Sequence, residues 1–100
     1  MVEVLRSSTF DRWLTRLKDR RAVARVLGRI ERLVEGNAGD VKPVGAGISE
    51  LRIDYGPGYR VYYLQEGNTF ILLLCGGDKS TQSADILKAK EIAKEWRDRG

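Results

Sequence analysis

Apolar residues return at two different periods along this chain, and the switches between them mark its elements. Val2-Glu3-Val4-Leu5 alternates weakly and reads as a first strand. Phe10, Trp13, Leu14 and Leu17 then recur at helical spacing, with Ser8 or Thr9 placed to cap the helix. A second helix is expected from about Arg20 to Glu35. Val23, Val26, Leu27, Ile30, Leu33 and Val34 form its apolar stripe, and Gly36 ends it. The short Lys18-Asp19-Arg20 junction makes the two helices a hairpin.

Residues 36–47, "GNAGDVKPVGAG", interrupt both periods and read as a loop. Three strands follow, at Ser49 to Tyr55, Tyr59 to Gln65 and Thr69 to Cys75. The turns Gly56-Pro57-Gly58 and Glu66-Gly67-Asn68 join them into an antiparallel meander. Phe70 to Cys75 is apolar on both faces and belongs in the sheet centre. A last helix runs from about Thr81 to Arg97, with Ile86, Ala89, Ile92, Ala93 and Trp96 facing inward. The order β-α-α-β-β-β-α predicts an α+β fold, a mostly antiparallel sheet with helices packed on one face.

Composition narrows the class. One hundred residues make one domain with a small core. Lys and Arg number 18 against 14 Asp and Glu, a net charge of +4 that mildly favours a polyanionic partner. The absence of histidine excludes Ser-His-Asp catalysis and His-based zinc sites. Cys75 is the sole cysteine, which rules out an internal disulfide and fits a reducing cytoplasm. It ends an apolar strand and reads as a buried structural thiol. The beginning, "MVEVLRSS", lacks the apolar stretch of a signal peptide, and nothing predicts a membrane partner.

The stretch "CGGDKST", residues 75–81, invites comparison with a phosphate-binding loop. Lys79-Ser80 matches the end of such a motif, but Asp78 stands where glycine is required and the upstream glycine is missing. ATP binding is therefore not expected. What remains is a glycine-rich turn leading to a helix N-terminus, which is favourable for an anion.

Alternation places Leu51, Ile53, Val61 and Tyr63 on the core face, and Arg52, Asp54, Arg60 and Tyr62 on the other. Across the Gly-Pro-Gly turn, Ile53 is expected opposite Val61, Arg52 opposite Tyr62, and Asp54 opposite Arg60. Spacing is compatible with two readings: an Asp54–Arg60 cross-strand pair worth roughly 0.2–1 kcal/mol, or a convergent basic site with Lys79 close by. Arg21, Arg25, Arg29 and Arg32 form a stripe on the second helix, either a solvated face or a surface for RNA or an acidic partner.

"SELRIDYGPGYRVYY", then "LLLCGGDKSTQ" and "DILKAKEIAKEW", preceded by "GDVKPVG", resemble the RelE/ParE toxin superfamily, in particular its HigB-type group related to phage Gp49. The resemblance runs along nearly the whole chain. It implies a toxin of a type II toxin–antitoxin system that cuts messenger RNA, commonly on the ribosome, without metal or cofactor. The RNA 2′-hydroxyl attacks the adjacent phosphate and leaves a cyclic phosphate. A cognate antitoxin, often of helix-turn-helix type, neutralises such toxins. ParE-like members share the fold and inhibit DNA gyrase instead. By resemblance, Arg60 in "GYRVYY" takes the place of the arginine at the scissile phosphate. Arg52 matches a basic residue of the preceding strand, and Lys79 that of the loop before the last helix. Tyr62, Asp78 and Glu50 are candidates for proton exchange, and Tyr62 joins Arg52, Arg60 and Lys79 as the expected catalytic set. Several ribonuclease members carry Tyr or His-Tyr after the last strand, where this chain has Asp78-Lys79-Ser80.

Overall fold

In the computed structural model, which describes residues 2–99, the first helix begins one residue earlier than the sequence suggests. Ser7, rather than Ser8 or Thr9, is the cap: its hydroxyl accepts from Phe10 N at 3.0 Å and donates to the Leu74 carbonyl. The chain then runs β1 (Glu3–Arg6), α1 (Ser8–Arg16), α2 (Arg20–Val34), β2 (Val41–Gly45), β3 (Ile48–Ile53), β4 (Tyr59–Glu66) and β5 (Phe70–Asp78). A 3-10 turn (Lys79–Thr81) leads into α3 (Gln82–Asp98). The sheet order is β1-β5-β4-β3-β2, with β1 parallel to β5 and every other pairing antiparallel. The α+β class, the three helices and the β3–β5 meander are as expected.

Four expectations about arrangement need correction. The helices do not share one face. Phe10 of α1 and Val26, Ile30 and Leu33 of α2 pack with Leu51, Ile53, Val61, Tyr63, Ile71 and Leu73. Ala89 and Ala93 of α3 close a separate cluster over Ile48, Tyr62, Leu64, Leu72 and Leu74 on the opposite face. The strands are apolar on both faces, so each face needs a cover, and two alanines let α3 come close. Leu27 falls outside the α2 stripe at 40% exposure, and Trp96 is 41% exposed, its ring 5.8 Å from that of Phe70.

The expected loop at residues 36–47 contains β2, an edge strand paired with β3 through Val41↔Leu51 and Lys42↔Glu50. Pro43 masks it in the sequence, yet an edge strand tolerates a residue without an N–H donor. The β3–β4 register is shifted by two residues: Arg52 faces Arg60, Leu51 faces Val61 and Glu50 faces Tyr62. The connection is therefore longer, residues 54–58 in place of 56–58, with Gly56 and Gly58 at φ of +56° and +80°. Parity is preserved, so every side chain keeps its predicted face. Asp54 lies beyond the strand, exposed, and the Asp54–Arg60 pair does not form.

Finally, Gly76-Gly77 is not a turn. β5 continues through both to Asp78. A Cβ on Gly76 would stand 2.2 Å from the Trp13 ring of α1, and one on Gly77 would stand 1.8 Å from the Asp85 carboxylate of α3. The two glycines admit close approach from the two helical layers on opposite faces. Cys75, just before them, is buried as expected, and burial pushes its thiol up to about 12.

Gly76→Ala is accordingly expected to destabilise the fold by about 1–3 kcal/mol, read as a lowered Tm. Gly77→Ala should cost less, because a carboxylate can rotate away where a packed indole cannot. Trp13→Leu should recover part of the Gly76→Ala loss in a double-mutant cycle. Equal losses at the two glycines, with no recovery, would remove Trp13 packing as the reason.

Candidate functional site

β3 and β4 present Glu50, Arg52, Arg60 and Tyr62 to the face that α3 covers. The register makes Glu50–Tyr62 and Arg52–Arg60 direct cross-strand neighbours. Like charges opposed in this way repel. The Glu50 carboxylate offsets the repulsion: its Oε1 accepts from Arg52 Nε at 2.9 Å and lies 4.0 Å from Arg60 Nε. Its Oε2 accepts from the Tyr62 hydroxyl at 3.0 Å and from Gln82 Nε2, in the first turn of α3, at 2.7 Å. Glu50 is 0% exposed, while the Arg52 and Arg60 side chains are 31% and 13% exposed. Arg60 Nε is buried and has no hydrogen-bond partner among the described residues.

The site's electrostatics follow from this geometry. Burial by itself raises the Glu50 pKa, but hydrogen bonds from Arg52, Gln82 and Tyr62 outweigh it and the carboxyl ends below its ordinary value. The hydrogen bond to Glu50 holds Arg52 above its ordinary value. Burial, then the bond to Glu50, pushes the Tyr62 phenol well up. Tyr62 therefore lies under α3 as a buried neutral donor, not on an open face.

Lys79 is exposed in the 3-10 turn. It reaches the same neighbourhood through Gly58: a Cβ built there would lie 3.5 Å from Lys79 Cβ and 4.0 Å from Arg60 Nη1. Asp78 caps this turn, accepting from Ser80 N at 2.8 Å, and its bonds to Ser80 hold its carboxyl low. The structure thus brings Arg52, Arg60 and Tyr62 together around Glu50, with the stem of Lys79 nearby at Gly58.

It does not bring the α2 arginines there. Arg21, Arg25 and Arg32 are exposed on the helix that covers the other face, and the Arg25 guanidinium lies 5.2 Å from the centre of the Tyr55 ring. Arg29 turns inward and donates to the carbonyls of Arg52, Ala38 (2.9 Å) and Asp40 (3.3 Å), bracing β3 from behind. Gln82 was missed in the sequence, where nothing distinguishes it from other polar residues of a first helical turn. Glu50's place beside Arg52 was legible, since residues two apart on a strand share a face.

The lowered pKa of Glu50 has a sign. Its contribution to stability is full above its ordinary value of 4.5 and is lost as pH falls through the lower folded value. Urea titrations at a series of pH values should therefore show stability declining on acidification below about 4.5, with a shallower slope in Glu50→Gln. Parallel curves for the two proteins would show that the carboxylate gains nothing from its donors.

Sequence comparison identifies the family. The profile of the family described as phage-derived Gp49-like protein matches residues 12–97. A Haemophilus influenzae (strain Rd) protein, named only as an uncharacterized protein, is 52% identical over 94 residues, covering 94% of this chain and 95% of the relative. The profile match spans both helical layers and all of the Glu50 network, and the chain belongs to the phage-derived Gp49-like family.

Proposed function

We propose that this chain is the toxin of a type II toxin–antitoxin pair and an endoribonuclease that cuts messenger RNA on the ribosome. One observation carries the reading. Two guanidiniums, those of Arg52 and Arg60, face each other across adjacent strands and reach the surface, with the stem of Lys79 beside them at Gly58. Opposed guanidiniums repel unless anions offset them, and a phosphate's oxygens match a guanidinium fork. Membership of the Gp49-like family supports the toxin assignment.

In the proposed reaction the RNA 2′-oxygen forms a bond to the adjacent phosphorus and the bond from phosphorus to the 5′-oxygen breaks. The products are a 2′,3′-cyclic phosphate and a 5′-hydroxyl. The 2′-hydroxyl proton leaves to a base, and the departing 5′-oxygen gains a proton. Arg60, Arg52 and Lys79 stabilise the charge that builds on the phosphate, supplying the positive charge that a metal supplies in other nucleases. Glu50, Tyr62 and Asp78 are each engaged in hydrogen bonds within the chain. The chain's contribution is therefore chiefly charge stabilisation and positioning, with the ribosome holding the RNA in line.

Arg60→Ala should reduce cleavage on the order of 10²–10³-fold while lowering stability by only about 1 kcal/mol, through lost packing of its stem. Arg60→Lys should restore activity in part, since charge survives and the fork does not. The measurement is growth arrest at matched expression together with mapping of new 5′ ends on transcripts. Full toxicity of Arg60→Ala would place the site elsewhere. DNA damage without transcript cuts would point to ParE-like inhibition of gyrase.

The antitoxin is proposed to cover basic surface, including the exposed Arg21, Arg25 and Arg32. Reversing these three to Glu should slow association at low salt at least several-fold, whereas Arg29→Glu should act chiefly on stability, because Arg29 braces β3. An association rate unchanged by the triple reversal removes α2 from the interface.

A further inference from the structure

The geometry points to Glu50 as a positioning residue of the phosphate site: it remains an anion that aims the Arg52 and Arg60 guanidiniums, and it takes no proton from RNA. The inference rests on the ribonuclease reading and deepens it.

Three observations carry it. Glu50 is wholly buried, so no substrate atom can touch it. Both of its oxygens are occupied, Oε1 by Arg52 Nε with Arg60 Nε nearby, and Oε2 by Tyr62 and Gln82. A general base needs a lone pair within reach of the proton it removes, and the one without a hydrogen bond, on Oε1, is buried beside Arg60 Nε. The grip on Arg52 is at Nε. Held there, a guanidinium is fixed in plane and still offers its two Nη groups to a phosphate. Gln82 ties the same carboxylate to α3, just after the turn that carries Lys79. One anion thus sets the relative placement of both guanidiniums and ties them to α3.

Charge separates this role from simple attraction. Arg52 and Arg60 contribute +2 and Glu50 −1, so the cluster carries +1, and Glu50→Gln raises it to +2. If attraction alone mattered, the variant would bind and cleave better. A glutamine keeps the shape. Its carbonyl can stay toward Arg52, and its amide nitrogen can face a rotated Tyr62 hydroxyl and a flipped Gln82, so the variant should fold. What it loses is the ionic hold on two guanidiniums.

The test uses the full chain, wild type against Glu50→Gln and Glu50→Asp. Arginine Nε–H resonances report the positioning without RNA. A non-cleavable 2′-O-methyl RNA oligomer reports binding. Single-turnover cleavage on ribosomes, from mildly acidic to mildly alkaline pH, reports chemistry. In Glu50→Gln the slowly exchanging Nε–H signals of Arg52 and Arg60 should broaden or vanish. Affinity for the oligomer should hold or rise, and cleavage should fall on the order of 10²-fold at every pH. Glu50→Asp, which keeps the charge, should recover part of the signal and part of the rate. Unchanged Nε–H signals in Glu50→Gln overturn the inference whatever RNA does. A deficit confined to one limb of the pH profile also overturns it, by identifying Glu50 as the base. A wild type that leaves RNA intact while its Nε–H signals depend on Glu50 overturns the ribonuclease reading and the catalytic purpose assigned here, and leaves the positioning itself standing.

Discussion

A carboxylate with no access to water dictates its surroundings. Taking Glu50 out of solvent costs several kcal/mol unless charged and hydrogen-bonding donors replace the water. The chain supplies them from three places: Arg52 two residues along the same strand, Tyr62 directly across on β4, and Gln82 from the first turn of α3. The same carboxylate permits Arg52 and Arg60 to face each other across adjacent strands, an arrangement that repulsion would otherwise disfavour. The β3–β4 register, the seating of α3 and the convergence of positive charge are therefore linked through one side chain.

The two helical layers make that burial achievable. α1 and α2 seal one face of the sheet and α3 the other, so the strands between them are enclosed on both sides. The successive glycines of β5 let an indole and a carboxylate approach from opposite faces at the end of the sheet where the site lies. Arg29 reaches through from α2 to the Arg52 carbonyl, so the strand that carries Glu50 and Arg52 is braced from behind. Fold and site are one construction here: the residues that close α3 over the sheet include those that hold the cations.

The proposed function asks a chain without histidine to address a phosphate, and this arrangement suits that task. Guanidinium groups stay charged at any physiological pH and need no pKa tuning. They need orientation instead, because a fork misplaced by about an ångström loses most of its value in a transition state. A buried anion supplies orientation at the expense of some net positive charge, which agrees with a cluster whose acid is buried and whose bases reach the surface.

The sequence by itself determined the local periods and the faces. Alternation over "SELRI" and "YRVYY" assigns Glu50, Arg52, Arg60 and Tyr62 to one face because successive strand side chains point to opposite sides. Helical spacing over Phe10 to Leu17 and over Val23 to Val34 predicts two amphipathic helices, and both form. Tertiary structure decided what period cannot express. It chose a register two residues from the expected one, because lengthening a glycine-bearing connection by two residues keeps parity and no local signal separates the two alignments. It drew α3 onto the second face, because both faces of the strands are apolar and nothing in a helix's own pattern names the face it covers. It turned Gly76-Gly77 from an apparent loop into strand, because those glycines answer to Trp13 and Asp85, carried by helices that only the closed fold brings over opposite faces. It also joined Gln82 to Glu50, a contact across 32 positions of chain, which is why the buried centre of the site appears only once the fold has closed.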